Sequence, residues 1–170
     1  MNEPVVIGAF NPSVTYTERP TVKALILNEQ NEVLIINNGL LPGGGIETGE
    51  DDETALRREI VEEVGMNVSD LDVLGVVSQF RNLLGKQYII RAYSACFVDD
   101  TALIAPQDEG EAQFTYGWYT INEAKELVDV SIKSMELIEP KDDDSYQGKL
   151  YNLQTTMVFL DLLEKGRTQV

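Results

Sequence analysis

Apolar residues fall along this chain in two rhythms. Short apolar runs and two-residue alternation mark strands at Val5-Val6-Ile7, Thr21–Leu27 (TVKALIL), Val33–Ile36 (VLII), Leu71–Phe80 (LDVLGVVSQF) and Gln87–Val98 (QYIIRAYSACFV). Phe114, Tyr116 and Trp118 alternate, so Phe114–Thr120 is a further strand with one aromatic face. The polar stretch Asn28–Glu32 turns the second run back on the third as a hairpin, Gly75 weakens or bulges the fourth, and Arg81–Gly85 is a hairpin loop. Spacings of three and four mark helices over Thr54–Val64, over Ile121–Val128 with Asn122 as cap, and over Leu150–Lys165. In the last of these, Leu150, Leu153, Met157, Leu160 and Leu163 form a packing stripe. Between them, Val130–Asp144 reads as a helical piece around Ser134–Ile138 and then a mobile loop at Pro140–Asp144. Strands with helices before and after predict an α/β fold, a mixed sheet covered on both faces. Residues 1–170 read as one domain, with an arm over 1–20 and a helical extension over 131–170.

Composition narrows the function. The chain has 170 residues, is 43% hydrophobic and 25% charged, and carries a formal net charge of −16. That composition suits one soluble globular domain. The charge argues against a nucleic-acid phosphate groove or an anionic membrane surface as the main partner. With no histidine, imidazole acid–base chemistry and histidine zinc sites are excluded. Cys96 is the only cysteine, so neither an internal disulfide nor a cysteine-rich zinc site can form. Its neighbours Ala95 and Phe97 predict a small buried strand residue. No apolar run is long enough to span a bilayer, and a reducing cytoplasm is the expected location. The N-terminal arm and the last amphipathic helix are the two elements able to serve a homodimer.

The stretch that carries chemistry is Leu41–Met66, LPGGGIETGEDDETALRREIVEEVGM. Pro42 and Gly43-Gly44-Gly45 force a tight irregular turn. Thr48 or Asp51 caps the helix that follows, acidic residues fill its first turn, and Gly65 stops it. Glu59, Glu62 and Glu63 project from one side, beside an apolar stripe of Leu56, Ile60 and Val64. Clustered carboxylates repel one another, and a hard divalent cation with oxygen ligands, Mg²⁺ or Mn²⁺, offsets that best. Arg58 can pair with Glu62 at spacing four or reach back to Glu50. The competing interpretation is a solvated acidic helix face.

From Gly44, five residues lead to Glu50, and seven more to Arg58-Glu59-Ile60, then Glu62-Glu63 and Gly65-Met66. This resembles the signature G-x5-E-x7-R-E-U-x-E-E-x-G-U of the Nudix (MutT-like) hydrolases, where U is bulky and apolar, with every fixed position filled. The resemblance implies a Nudix-type α/β/α sandwich around a mixed sheet, and metal-dependent hydrolysis of the pyrophosphate bond of a nucleoside diphosphate linked to another group. It implies Glu62 and Glu63 as principal metal ligands, Glu59 as ligand or general base, the Gly44 carbonyl as a further ligand, and Glu50–Arg58 as a supporting ion pair. Family members often add an acid from a distant loop. Asp108, Glu109 and Glu111 are the candidates here, with Glu111 favoured. Arg81 and Arg91, scarce cations in an acidic chain, are candidate substrate ligands, as are Arg19 and Lys23. Phe80, Tyr88, Tyr116 and above all Trp118 are candidates for stacking on a base. Sub-family markers are largely absent. The default substrate is therefore a small-molecule (deoxy)nucleoside triphosphate, with ADP-ribose, a nucleotide sugar, or a non-catalytic ligand-sensing or protein-binding domain as alternatives.

Overall fold

The computed structural model describes residues 3–101, 114–137 and 144–167. It contains six strands, β1 (Val5–Ile7), β2 (Thr17–Leu27), β3 (Val33–Ile36), β4 (Asn67–Arg81), β5 (Lys86–Asp99) and β6 (Tyr116–Tyr119), in one sheet of order β1-β4-β5-β2-β3-β6. The sheet is mixed: β1 with β4 and β2 with β5 run parallel, and the other pairs are antiparallel. Among the described residues three α-helices cover it: α1 (Asp52–Val64), α2 (Ile121–Glu136) and α3 (Asp144–Arg167).

Alternation along the strands divides the interior into two cores. Val22, Ala24, Ile26, Leu34 and Ile36 face α1, whose Ala55, Leu56, Ile60 and Val64 are buried against them. Leu25, Val33 and Ile35 face the other way, toward Ala124 and Val128 of α2 and Leu153, Phe159, Leu160 and Leu163 of α3. A one-residue slip in β2 or β3 would exchange the two sets. The result is the α/β/α sandwich expected. No described helix is long and apolar enough to cross a membrane.

Several boundaries differ from the pattern-based ones, for local reasons. β2 begins at Thr17, drawing in residues assigned to the arm. Pro20 is tolerated because its carbonyl accepts from Ile46 N–H at 3.2 Å. Backbone N–H and C=O of one strand residue point the same way, so the missing N–H faces the glycine turn and not β5. β4 starts at Asn67, almost directly after the α1 cap, and its ladder to β5 is broken by register shifts between Ser69 and Asp72 and between Val73 and Gly75. A Cβ on Gly75 would lie 2.8 Å from Leu162 Cδ1, so this glycine lets α3 come close. The Arg81–Gly85 connection contains a single 3-10 turn, Asn82–Leu84.

α2 is one continuous helix and not two pieces, since nothing between Val128 and Glu136 breaks it. Thr120, not Asn122, caps it: its hydroxyl accepts from Glu123 N–H while the Glu123 carboxylate accepts from Thr120 N–H, a reciprocal cap. α3 starts six residues before the expected Leu150 and turns Leu153, Leu160 and Leu163 of its apolar stripe into the core. Cys96 is exposed and not buried. Ala95 faces the α1-side core, and alternation turns Cys96 to the opposite face.

Candidate metal and substrate site

The glycine turn is stitched to β2. Val22 N–H donates to Gly44 O at 3.0 Å, Ala24 N–H to Pro42 O at 2.9 Å, and Thr21 bridges Gly45. Gly43 lies at φ +125°, and a Cβ there would sit 2.2 Å from Val22 O, so only glycine fits this seam. The turn then runs to Asp51, which caps α1 by accepting from Thr54 N–H at 2.8 Å, and Gly65 ends the helix at φ 67° with its N–H on Val61 O. Thr48 is not the cap.

The acidic face of α1 lies against this turn. The Glu59 carboxylate is so close to Gly44 that a Cβ there would be 2.4 Å from both its oxygens. Glu63 turns the other way and accepts from Gly43 N–H at 2.7 Å. Arg58 joins the remaining acids. It clasps Glu50 with two hydrogen bonds of 2.8 and 2.9 Å, and donates to Glu59 at 2.8 Å, to Glu62 at 3.1 Å and to Gly45 O at 3.1 Å. The sequence left Arg58 a choice between Glu50 and Glu62, and the structure makes both contacts. These bonds hold the Glu50 carboxyl down to about 2 and push the Arg58 guanidinium up.

Lys23 completes the cluster. From β2 its ammonium donates to Leu41 O at 2.9 Å and to Gly43 O. Burial lowers its pKa, against the pull of Glu63 and Glu59. Glu63 is the counterpart: burial raises its carboxyl, opposed chiefly by Lys23 and the Gly43 N–H. Gly43 O accepts from Lys23, Gly44 O accepts from Val22 N–H, and Gly44 also supplies the clearance for Glu59.

Among the described residues no three acidic side chains converge into a ready-made metal cage. Arg58 draws Glu59 and Glu62 together, and Glu63 faces Lys23 and the turn. The donor chemistry nevertheless suits a hard divalent cation. It comprises carboxylate oxygens from one helix face, a carbonyl-lined turn, and a glycine that leaves room where any Cβ would intrude.

Two cavities flank this centre. One is lined by Lys23 and Glu63, by Phe114 and Ile90, and by the α3 residues Asn152, Thr155 and Thr156. The Asn152 carbonyl oxygen accepts from Arg81 at 3.3 Å, which fixes the orientation of its amide. The other is a more open cleft lined by Glu18, Arg19, Pro20, Gly45, Ile46, Glu47 and Glu59.

The remaining candidates are dispersed. Arg81 is buried between β4 and α3, donating to Gln79, Gly148 O and Asn152 and lying 4.9 Å from the Tyr88 ring centroid. It clamps helix to sheet and does not face the acidic cluster. Arg91 is paired with Asp52 at 2.8 Å, and Tyr93 donates to the other oxygen of Asp52 at 2.6 Å, so the two anchor the first turn of α1 to β5. Burial, then Asp52, pushes the Tyr93 phenol up to about 12. Trp118 packs edge-on to Phe97 at 5.5 Å in the α1-side core, and the aromatic residue in the cavity is Phe114. Asp108, Glu109 and Glu111 lie outside the described residues. Asn152, Thr155 and Thr156 were missed as cavity residues. Their signal was three polar residues at spacings of three and four beside the apolar stripe of the last helix.

A mixed sheet sandwiched by helices, with a glycine turn feeding a carboxylate-bearing helix, defines a class of phosphate-handling fold. The NUDIX domain family model matches residues 17–138, and the chain belongs to that family. RNA pyrophosphohydrolase of Yersinia enterocolitica is 43% identical over 61 residues, covering 33% of this chain and 35% of that protein. The chain thus spans about a third of the length of the curated relatives it matches. Among solved structures, a NUDIX hydrolase from Nitrosomonas europaea superposes with a TM-score of 0.57 at 18% identity, covering 88% of this chain and 90% of that one. A MutT NUDIX hydrolase from Burkholderia pseudomallei gives 0.50 at 26% identity, covering 62% and 85%.

Proposed function

We propose that the chain is a metal-dependent pyrophosphohydrolase whose substrate is a (deoxy)nucleoside triphosphate, cleaved by water to the monophosphate and pyrophosphate. The observation that carries this reading is the Glu59, Glu62 and Glu63 array held against the glycine turn by Arg58 and Lys23. These carboxylates would hold Mg²⁺, with Mn²⁺ as substitute. Bound there, the ion would neutralise phosphoryl oxygens and lower the pKa of a coordinated water. Arg58 orients Glu59 and Glu62, and Lys23 fixes the turn carbonyls. Glu59 would accept the proton of the attacking water, with Glu111 or its neighbours Asp108 and Glu109 as alternatives from the distant loop. The cavity between the sheet and α3 would take the nucleoside, offering an aromatic wall at Phe114 and an oriented amide at Asn152.

A second reading has one observation in its favour. The 43% identity to an RNA pyrophosphohydrolase raises the 5′-triphosphate end of RNA as a substrate, against the chain's strong negative charge. A panel of nucleoside triphosphates, ADP-ribose, nucleotide sugars and 5′-triphosphorylated RNA, with Mg²⁺ or Mn²⁺ and product identification, decides between them. Glu62→Gln and Glu63→Gln each lower turnover by about a hundredfold or more while the folded circular-dichroism spectrum is retained. Turnover at the parent rate in either variant would show that the reaction is not carried by this helix.

A further inference from the structure

Arg19 sits in an acidic neighbourhood without an acidic partner. It is exposed near the start of β2, and among the described residues no carboxylate pairs with it, although Glu18, Glu47 and Glu59 line the same cleft. By contrast Arg57, Arg58 and Arg91 are each paired with a carboxylate at 2.8 Å.

Its place is nonetheless built. A Cβ on Gly45 would lie 3.2 Å from Arg19 Nη2, so the guanidinium rests beside the bare backbone of the turn. The parallel register sets Arg19 next to Tyr88, and its guanidinium carbon is 6.0 Å from that ring's centroid. The two adjacent glycines thus admit different groups: Gly44 makes room for Glu59, and Gly45 for Arg19.

The glycine turn also divides the site. Glu63 lines the cavity beneath α3, whereas Glu59, one helical turn away, lines the cleft with Arg19. A substrate spanning the acidic face would put its organic part on one side and its phosphate tail on the other. A planar guanidinium with free donors matches phosphate oxygens in bidentate fashion.

We propose that Arg19 binds the terminal pyrophosphate group of the substrate, in the cleft it forms with Glu59. This rests on the pyrophosphohydrolase reading. The test is calorimetric titration of the full chain with inorganic pyrophosphate in Mg²⁺, for the parent, Arg19→Gln, Arg19→Lys and Lys149→Gln. Arg19→Gln weakens binding by about tenfold or more, and Arg19→Lys falls between, keeping the charge but losing the fork. Lys149→Gln makes the same change in net charge at an exposed residue of α3 that does not line the cleft and stays within about twofold. Parent-like binding by Arg19→Gln, an equal loss in Lys149→Gln, or no binding by the parent overturns the proposal. If the substrate panel shows no turnover while pyrophosphate binding depends on Arg19, the hydrolase reading falls and the anion site stands. If nucleotides are hydrolysed and Arg19→Gln binds pyrophosphate normally, only the Arg19 assignment falls.

Discussion

One guanidinium organises the acidic face of α1. Arg58 touches Glu50, Glu59, Glu62 and the Gly45 carbonyl, so its position sets that of most of the proposed ligands. Glu50 is the anchor of that arrangement, and its ionisation can be followed. Its carboxyl is held at about 2, below its ordinary 4.5. A depressed carboxyl stabilises the fold above the unfolded-state pKa, and that stabilisation is lost as pH falls through the folded-state value. Compared with Glu50→Gln, the parent should therefore show its largest advantage in denaturation midpoint above pH 4.5, shrinking as pH falls toward 2. An advantage unchanged between about pH 6 and pH 3 would mean that the Glu50–Arg58 clasp is not formed in solution.

At the scale of elements, the link between β4 and α3 rests on Arg81. Its donors serve Gln79, Gly148 O and Asn152, and a Cβ on Gly148 would be 2.2 Å from its Nη1, so helix and guanidinium are fitted to each other. Arg81→Met should destabilise the fold by about 2–3 kcal/mol, because buried acceptors lose their charged donor. Thermal denaturation checks this, and an unchanged midpoint together with weakened substrate binding would return Arg81 to the substrate site. The same residue shows where the sequence stopped being legible. Motif spacing located Glu59, Glu62 and Glu63 because all lie on one helix, where number along the chain fixes position in space, while it left Arg58 open between Glu62 and Glu50 and only the family resemblance singled out Glu50. The alternation in β2 and β3 likewise gave both faces of the sheet. A lone arginine in a strand carries no such index. Whether it meets a ligand, like the proposed Arg19, or a distant helix, like Arg81, depends on which element crosses it more than sixty residues later. The cap at Thr120 is local, a Thr-x-x-Glu box that the sequence carries, whereas the early part of α3 makes contacts far along the chain, such as that of Gly148 O with Arg81.

For the whole molecule, a net charge of −16 is repulsive to polyphosphates, and the fold concentrates some of that charge on one helix face beside a turn that only glycines can make. Divalent cations would reverse the local field where the substrate must sit. Arg58 and Lys23 supply positive charge beside these acids. The most direct measurement is an anomalous difference map at the manganese edge from crystals of the parent soaked in Mn²⁺. The account predicts a peak bounded by the carboxylates of Glu59, Glu62 and Glu63, and its loss in Glu62→Gln crystals. A map with no peak at these side chains, or one whose peak survives that substitution unchanged, contradicts it.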